Sequence, residues 1–285
     1  VRRLIINADD FGLTAGVNRA IAEANRSGVL SSATMMANAR AFPEAAAMAK
    51  AQPSLRTGCH VVLIDGDPAS ANLPTLTNGS SRFRSSLKEF ALAAVRRQIS
   101  ADEIQQETEA QIRKIKSLGI TPTHIDSHKH THMFPHVLRP VLRAAKACGI
   151  RAVRNPFEPF RAWPRGAVLA TPGLWLRSAG VTAFQMFAAE FRRALKEEGM
   201  FSTGGTVGIA ATGKLDQKML FRILSALPEG TWELVCHPGY SDADLKAAGT
   251  RLTASRETEL AALTSLETKE ALARQKIELI SYAEL

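Results

Sequence analysis

Short apolar runs and longer, spaced apolar stripes succeed one another along the 285 residues. The runs predict strands at Leu4–Asn7, Ala33–Ala37, Gly58–Leu63, His124–Asp126, Ala152–Arg154, Thr206–Ala210, Glu233–Cys236 and Glu278–Ser281. Between them, apolar residues recur at helical spacing. Val17, Ile21 and Ala24 share one face before Gly28. Ile104, Ile112, Ile115 and Leu118 do so before Gly119, and Leu220, Ile223, Leu224 and Leu227 before Pro228. Such repetition predicts a parallel sheet with helices outside it. Eight candidate strands favour a closed or nearly closed barrel over an open doubly wound sheet. Two stretches break the repeat, the Gly/Ser/Asn-rich 65–86 and the longer 155–203. Long excursions of this kind tend to carry function. With no internal repeat or low-complexity tract, residues 1–285 read as a single domain.

The polar residues at the strand ends add chemistry. Asp9 and Asp10 follow the first predicted strand, and His60 lies in the third. Asp126 and His128 end the fourth, Arg154 the fifth and His237 the seventh. Barrel enzymes place their chemistry at the C-terminal ends of the strands, so these residues are expected at one mouth. Five of the seven histidines fall within His124–His136, "HIDSHKHTHMFPH". In an extended segment His128, His130 and His132 share one side, with His124 deeper on the same parity. His136, beyond Pro135, reads as a capping or surface residue at a helix start.

Adjacent carboxylates in "INADDFG" repel unless a cation, an arginine or water compensates them. Either one is a helix cap and the other a surface residue, or one binds a metal and the other acts as a base. His60, in an apolar strand, is either a hydrogen-bonded core residue or a ligand. One carboxylate from strand one with histidines from strands three and four makes a three-ligand site. That count leaves positions for water and substrate, the arrangement of catalytic rather than structural metals. Asp126 reads as an acceptor that orients an imidazole, or as a strand-end cap. His237, in "VCHPGY", is placed to protonate a leaving amine or is a plain turn residue. Arg154 neutralises the aspartates, holds an anionic or carbonyl group, or is solvated.

Charge and composition narrow the partners. The net charge is +9, yet Lys and Arg alternate with Glu on segments such as Ala101–Lys116, which reads as solvated helix faces. Aromatic residues are 6% of the chain, too few to suggest base-stacking surfaces, so nucleic acid is not expected. Cys59, Cys148 and Cys236 form no CxxC pair or disulfide framework, which fits a reducing compartment such as the cytoplasm. No run of about 18 apolar residues suggests a membrane span.

"INADDFGLTAGVNRAI", "GCHVVL", "PTHIDSHKHTHMFP" and "ELVCHPGY", in this order and spacing, resemble the YdjC-like carbohydrate deacetylases. The stretch "TVGIAATGKLDQKMLFRILSALPEGTWELVCHPGY" and the ending "IELISYAEL" are similar to the hopanoid-biosynthesis-associated (HpnK-like) branch. The resemblance implies a distorted, TIM-like (β/α) barrel of parallel strands. It implies metal-dependent removal of an acetyl group from an N-acetylated amino sugar, an N-acetylglucosaminyl hopanoid lipid first and diacetylchitobiose as the alternative. Asp10, His60 and His128 carry over as ligands of one divalent ion, zinc or magnesium. Asp9 becomes the base and His237 the histidine near the substrate. Asp126, His130, His132 and Arg154 then support the ligands or touch substrate. Lys129, where many relatives have histidine, is expected to point away from the mouth.

Gly166–Ala189 either packs as a barrel helix or forms a lipid-facing lid. A lid would present Leu174, Trp175, Leu176, Phe184 and Phe187 beside Arg177, Arg192 and Arg193, giving peripheral contact with an anionic membrane at its inner face. The remaining readings are a two-histidine, one-carboxylate iron oxygenase and a non-catalytic sugar or lipid carrier. A homodimer is left open.

Overall fold

A computed structural model describes residues 1–158, 182 and 184–285; the proposed lid residues Leu174, Trp175, Leu176 and Arg177 lie outside these. The parallel strands are β1 (Arg2–Phe11), β2 (Ser32–Met35), β3 (Arg56–Val61), β4 (His124–Ser127), β5 (Ala152–Val153), β6 (Thr206–Val207) and β7 (Gly230–Cys236). They pair in the order β5-β4-β3-β2-β1-β7-β6. β8 (Ile277–Ile280) lies off this path, against the first half of β1 from Arg2↔Ile277 to Ile5↔Ile280. β2 takes over the second half, from Asn7↔Ser32 to Phe11↔Met35. The curl closes through scattered bonds rather than a ladder. Val153 N donates to the Phe201 carbonyl at 3.0 Å, and Thr206 N to the Phe157 carbonyl at 3.3 Å. This is the distorted (β/α) barrel of parallel strands that the resemblance implies.

Strand alternation explains the two layers. Leu4, Ile6 and Ala8 are fully buried in the main apolar cluster between sheet and helices, while Ile5 belongs to a small separate cluster with Ala152, Ile280 and Tyr282. Each large aliphatic side chain so buried contributes roughly 1.5–3 kcal/mol. The helices are α1 (Ala15–Ser27), α2 (Phe42–Ala51), α3 (Leu87–Val95), α4 (Ala101–Ser117), α5 (Pro135–Ala147), α6 (Ala188–Glu198), α7 (Gln217–Ala226), α8 (Ala243–Ala247), α9 (Ala254–Thr264) and α10 (Leu266–Arg274). Side-chain caps start several of them: Thr14 accepts from Val17 N, Ser100 from Glu103 N and Asp216 from Met219 N.

Three sequence expectations need correction. The first strand does not end before the aspartates; β1 runs on to Phe11, because β2 resumes pairing at Phe11↔Met35 after a register shift. The segment 155–203 is not all excursion, since it contains α6, whose buried Phe191, Ala194 and Leu195 form an apolar stripe. The extended parity drawn through the histidines fails after Ser127. There β4 ends, and a 3-10 turn His128–Met133 follows, with Lys129 and His130 both at φ +54°. The 65–86 excursion contains no helix or strand and is clamped from α4. Buried Glu107 accepts from Ala69 N and Ser70 N, both at 2.8 Å, and Glu103 accepts from Leu76 N at 2.9 Å.

Candidate metal centre and its support

Asp10 sits at the register shift in β1 with φ +67°, a left-handed conformation that turns it out of the strand's alternation. Its carboxylate is therefore not aligned with that of Asp9. Arg256 NH2, from α9, donates to Asp10 Oδ2 at 2.5 Å. Burial opposes ionisation, but Arg256 and His128 hold the Asp10 carboxyl well below the usual carboxylate range. The other oxygen, Oδ1, is buried and accepts no hydrogen bond.

Two imidazole nitrogens face that oxygen. His60 Nε2 lies 3.6 Å and His128 Nδ1 3.4 Å from Asp10 Oδ1, and the two nitrogens are 3.4 Å apart. Ligands about 2.0–2.2 Å from one ion at tetrahedral angles are separated by roughly this much. Oxygen and imidazole donors suit zinc and also accommodate other divalent ions. A buried acceptor with no donor, at one corner of a triangle of this size, fits a divalent cation. Asp9, His60 and Asp126 also lie close enough to share an ion. In that group, however, Arg154 already engages both carboxylates, and His60 Nδ1 is bonded to Asp126 Oδ1 at 2.7 Å.

That last bond orients the ligand ring, leaving Nε2 toward Asp10. Burial works against a charged His60, yet Asp126 and Asp9 together raise it to about 9. Without an ion the ring is therefore protonated at neutral pH. Thr34 Oγ1 completes the arrangement, donating to Asp126 Oδ2 at 3.0 Å and lying 3.2 Å from His60 Nδ1.

Beneath the triangle the barrel interior is polar. Arg154 is fully buried and reaches three carboxylates. NH1 and NH2 grip Asp9 at 2.8 and 2.6 Å, NH1 meets Asp126 at 2.7 Å, and Nε and NH2 grip Glu233 Oε1 at 2.8 and 2.6 Å. Burial alone would neutralise Asp9; Arg154 outweighs it and keeps the carboxyl below its ordinary range. His237 Nε2 stands 3.9 Å from Asp9 Oδ2, and its backbone N–H donates to Glu259 Oε2 at 2.6 Å. Burial pushes the His237 ring down to about 4 and the Glu259 carboxyl up to about 7.

The family model described as "YdjC-like protein" matches residues 3–274. The chain belongs to the YdjC-like family. It is 34% identical over 284 residues to a carbohydrate deacetylase of Brevibacillus brevis, covering 99% of each chain. It is 33% identical over 285 residues to a chitooligosaccharide deacetylase of Serratia marcescens, covering 99% of this chain and 98% of that one. A crystal structure from Enterococcus faecalis, provisionally described as a cellobiose-phosphate cleavage protein, superposes with a TM-score of 0.78. That protein is 24% identical, with 99% of this chain and 98% of that one covered, and the likeness concerns the fold.

In this YdjC-like chain the dense histidine run serves several different purposes. His128 alone of the run faces the Asp10–His60 pair. His132 does not line the mouth: fully buried, it bonds Ser127 Oγ at 2.6 Å and the Arg154 carbonyl at 3.1 Å, fixing the backbone from which Arg154 projects. His130 has a buried Nδ1 without a hydrogen bond. His124 is an interior residue stacked on Tyr282 at 3.8 Å; a Cβ on Gly58 would come within 2.5 Å of its ring, so glycine is needed there. His136 Nε2 bonds the Ile99 carbonyl at 2.7 Å. Lys129 pairs with Asp65, tying the histidine turn to the 65–86 excursion.

Of the described lid residues, Phe184 and Phe187 pack edge-on against Phe134, and Arg193 pairs with Glu190. Cys59, Cys148 and Cys236 are free and buried. Among the described residues no helix is long and apolar enough to cross a membrane. Sequence reasoning missed Thr34, Glu233, Arg256 and Glu259. The last two had a signal, because they share the buried face of α9 with Leu260 and Leu263, where charged residues demand partners.

Proposed function

We propose that this YdjC-like protein is a metal-dependent amide hydrolase that removes the acetyl group from an N-acetylated amino sugar. The observation that carries the reading is the triangle of Asp10 Oδ1, His60 Nε2 and His128 Nδ1 beside a second, arginine-held carboxylate. Full-length similarity to carbohydrate and chitooligosaccharide deacetylases supports the substrate class. When bound, a zinc or magnesium ion polarises the amide carbonyl and makes an attacking water more acidic.

The chain's own residues do the rest. Asp10, His60 and His128 hold the ion, with Arg256 and Asp126 fixing the first two. Asp9, kept ionised and oriented by Arg154, accepts the proton of the attacking water. His237, neutral at pH 7 and 3.9 Å from Asp9 Oδ2, takes over the proton that Asp9 removed from the water. It passes this proton to the nitrogen as the C–N bond breaks, giving the free amine and acetate, the remaining proton of the water going to solvent.

A lipid-linked sugar is a second reading within this class, consistent with the sequence resemblance. Met186 is 76% exposed in the turn between Phe184 and Phe187, which packs on Phe134, inside the histidine run. That apolar surface suits a hydrophobic aglycone and peripheral contact with a membrane.

Acetate release from diacetylchitobiose and from an N-acetylglucosaminyl hopanoid, with and without chelator, tests both readings. Chelator-sensitive release from either, lost in a folded His128→Ala protein, is expected. The ratio of the two rates decides between free and lipid-linked sugar. No release from either by the ion-loaded protein would overturn the assignment, and iron-dependent oxygen uptake would replace it with an oxygenase.

A further inference from the structure

β8, paired with the first half of β1, and the turn Tyr282–Glu284 after it build the floor of the barrel. Tyr282 is 3% exposed, its ring stacked on His124 with an interplanar angle of 11°. Its hydroxyl donates to Glu233 Oε2, to which Thr206 Oγ1 also donates at 3.3 Å. The other oxygen, Glu233 Oε1, receives both Nε and NH2 of Arg154. A guanidinium is planar, with its donors in a fixed fork. Once one edge is fastened to Glu233, the remaining donors can point only one way. In this chain they point at Asp9 and Asp126. Ser281 anchors the turn by a capping box with Glu284.

Resting on the deacetylase reading, we propose that Tyr282 and Glu233 are positioning residues for the reaction. They set the plane of Arg154, and through it the orientation of the proton-accepting carboxylate Asp9. Neither touches substrate or ion. Glu233 has no apolar reason to occupy a fully buried position, and the Tyr282 hydroxyl is spent on it alone. A floor needed only for packing would use phenylalanine at 282 and an aliphatic residue at 233.

Tyr282→Phe keeps the ring on His124 and deletes one hydroxyl, while Glu233→Gln keeps the shape and removes the charge that fastens the guanidinium. Steady-state kinetics on the better substrate should show kcat down about tenfold or more in Glu233→Gln. Tyr282→Phe should lower kcat about three- to tenfold, with KM within about twofold in both. A readout independent of turnover is the NMR signal of the Arg154 Nε–H, assigned by its loss in Arg154→Lys. Tyr282→Phe should shift that resonance and speed its exchange with water. The equally buried Arg256 Nε–H, bonded to the Leu252 carbonyl at 3.1 Å, should stay unchanged.

Unaltered kcat together with an unmoved Arg154 signal in Tyr282→Phe would overturn the proposal and leave the floor a packing device. A fall in thermal stability alone would do the same. If Glu233→Gln fails to fold, Tyr282→Phe still decides. If the wild-type protein releases acetate from no N-acetylated sugar, the deacetylase reading fails, and the NMR comparison alone judges whether the floor orients Arg154.

Discussion

Asp9 and Asp10 are neighbours in the chain and identical in chemistry, yet their carboxylates face two different parts of one centre, with His60 close to both. Asp9 follows the strand's alternation into the barrel interior, where Arg154 occupies both its oxygens. Asp10, re-aimed by a positive φ, faces the rim, where Arg256 occupies only one oxygen and the other is left to the histidines. Ordinary alternation would put the two on opposite sides of the sheet. The register shift and one left-handed residue bring both to a single centre with different duties. A carboxylate saturated by a guanidinium is a poor place for a cation, and one with a bare buried oxygen is a good one.

The largest way to break this comparison is at Arg154. Arg154→Met leaves Asp9, Asp126 and Glu233 buried with no guanidinium among them, and only the His60 ring against Asp126 to offset their charge. Removing one partner from a buried ion pair costs about 3–5 kcal/mol. Denaturant unfolding should show a loss of at least that order, far more than at any surface arginine. A loss below about 1 kcal/mol would mean that the interior carboxylates are not charged.

The comparison sharpens with pH. His60, raised to about 9, must release its Nε2 proton before that nitrogen can hold an ion. Divalent-ion affinity should therefore climb between pH 7 and pH 9, by up to about tenfold per unit, and level off above. Stability of the ion-free protein has the opposite sign. The contribution of protonated His60 is complete below its ordinary value near 6.5 and is lost as the pH rises through about 9. Calorimetric ion titrations and ion-free melting curves at pH 6.5, 7.5 and 9 check both. A flat affinity profile would argue that His60 is not a ligand.

The smallest effect is expected at the rim's outer edge. Lys129 and Asp65 are each about one-third exposed, at 35% and 31%, so solvent screens their pair. Lys129→Ala should change stability by less than about 1 kcal/mol and leave ion affinity alone. A tenfold loss of affinity would instead give the pair a part in shaping the centre.

Much of the arrangement was legible because strands buried on both faces read as short apolar runs, and polar residues interrupt those runs only where they are compensated. "INADDFG" announced an unusual pair, and "TGCHVV" placed one histidine where an aliphatic residue belongs. What the pattern could not show was backbone detail. Nothing in "SHKHTHM" resembles a turn, since it contains neither glycine nor proline, yet Lys129 and His130 both adopt positive φ. The extended parity therefore grouped His128 with His132, whereas the turn sends His132 to support Arg154 from behind. Compensating partners were equally hidden, because Arg256 lies 246 residues from Asp10 in sequence. Glu233 was read as the start of an apolar strand, although a buried charge there required an interior arginine.

Divalent-ion titration of Asp9→Asn and Asp10→Asn, each compared with wild type by calorimetry and by acetate release, tests the division of labour most directly. Asp10→Asn should lose about 100-fold or more in ion affinity, and turnover with it. Asp9→Asn should bind the ion within a few-fold of wild type while releasing almost no acetate. Loss of ion binding in Asp9→Asn, with Asp10→Asn still loaded, would reverse the two roles and contradict the account.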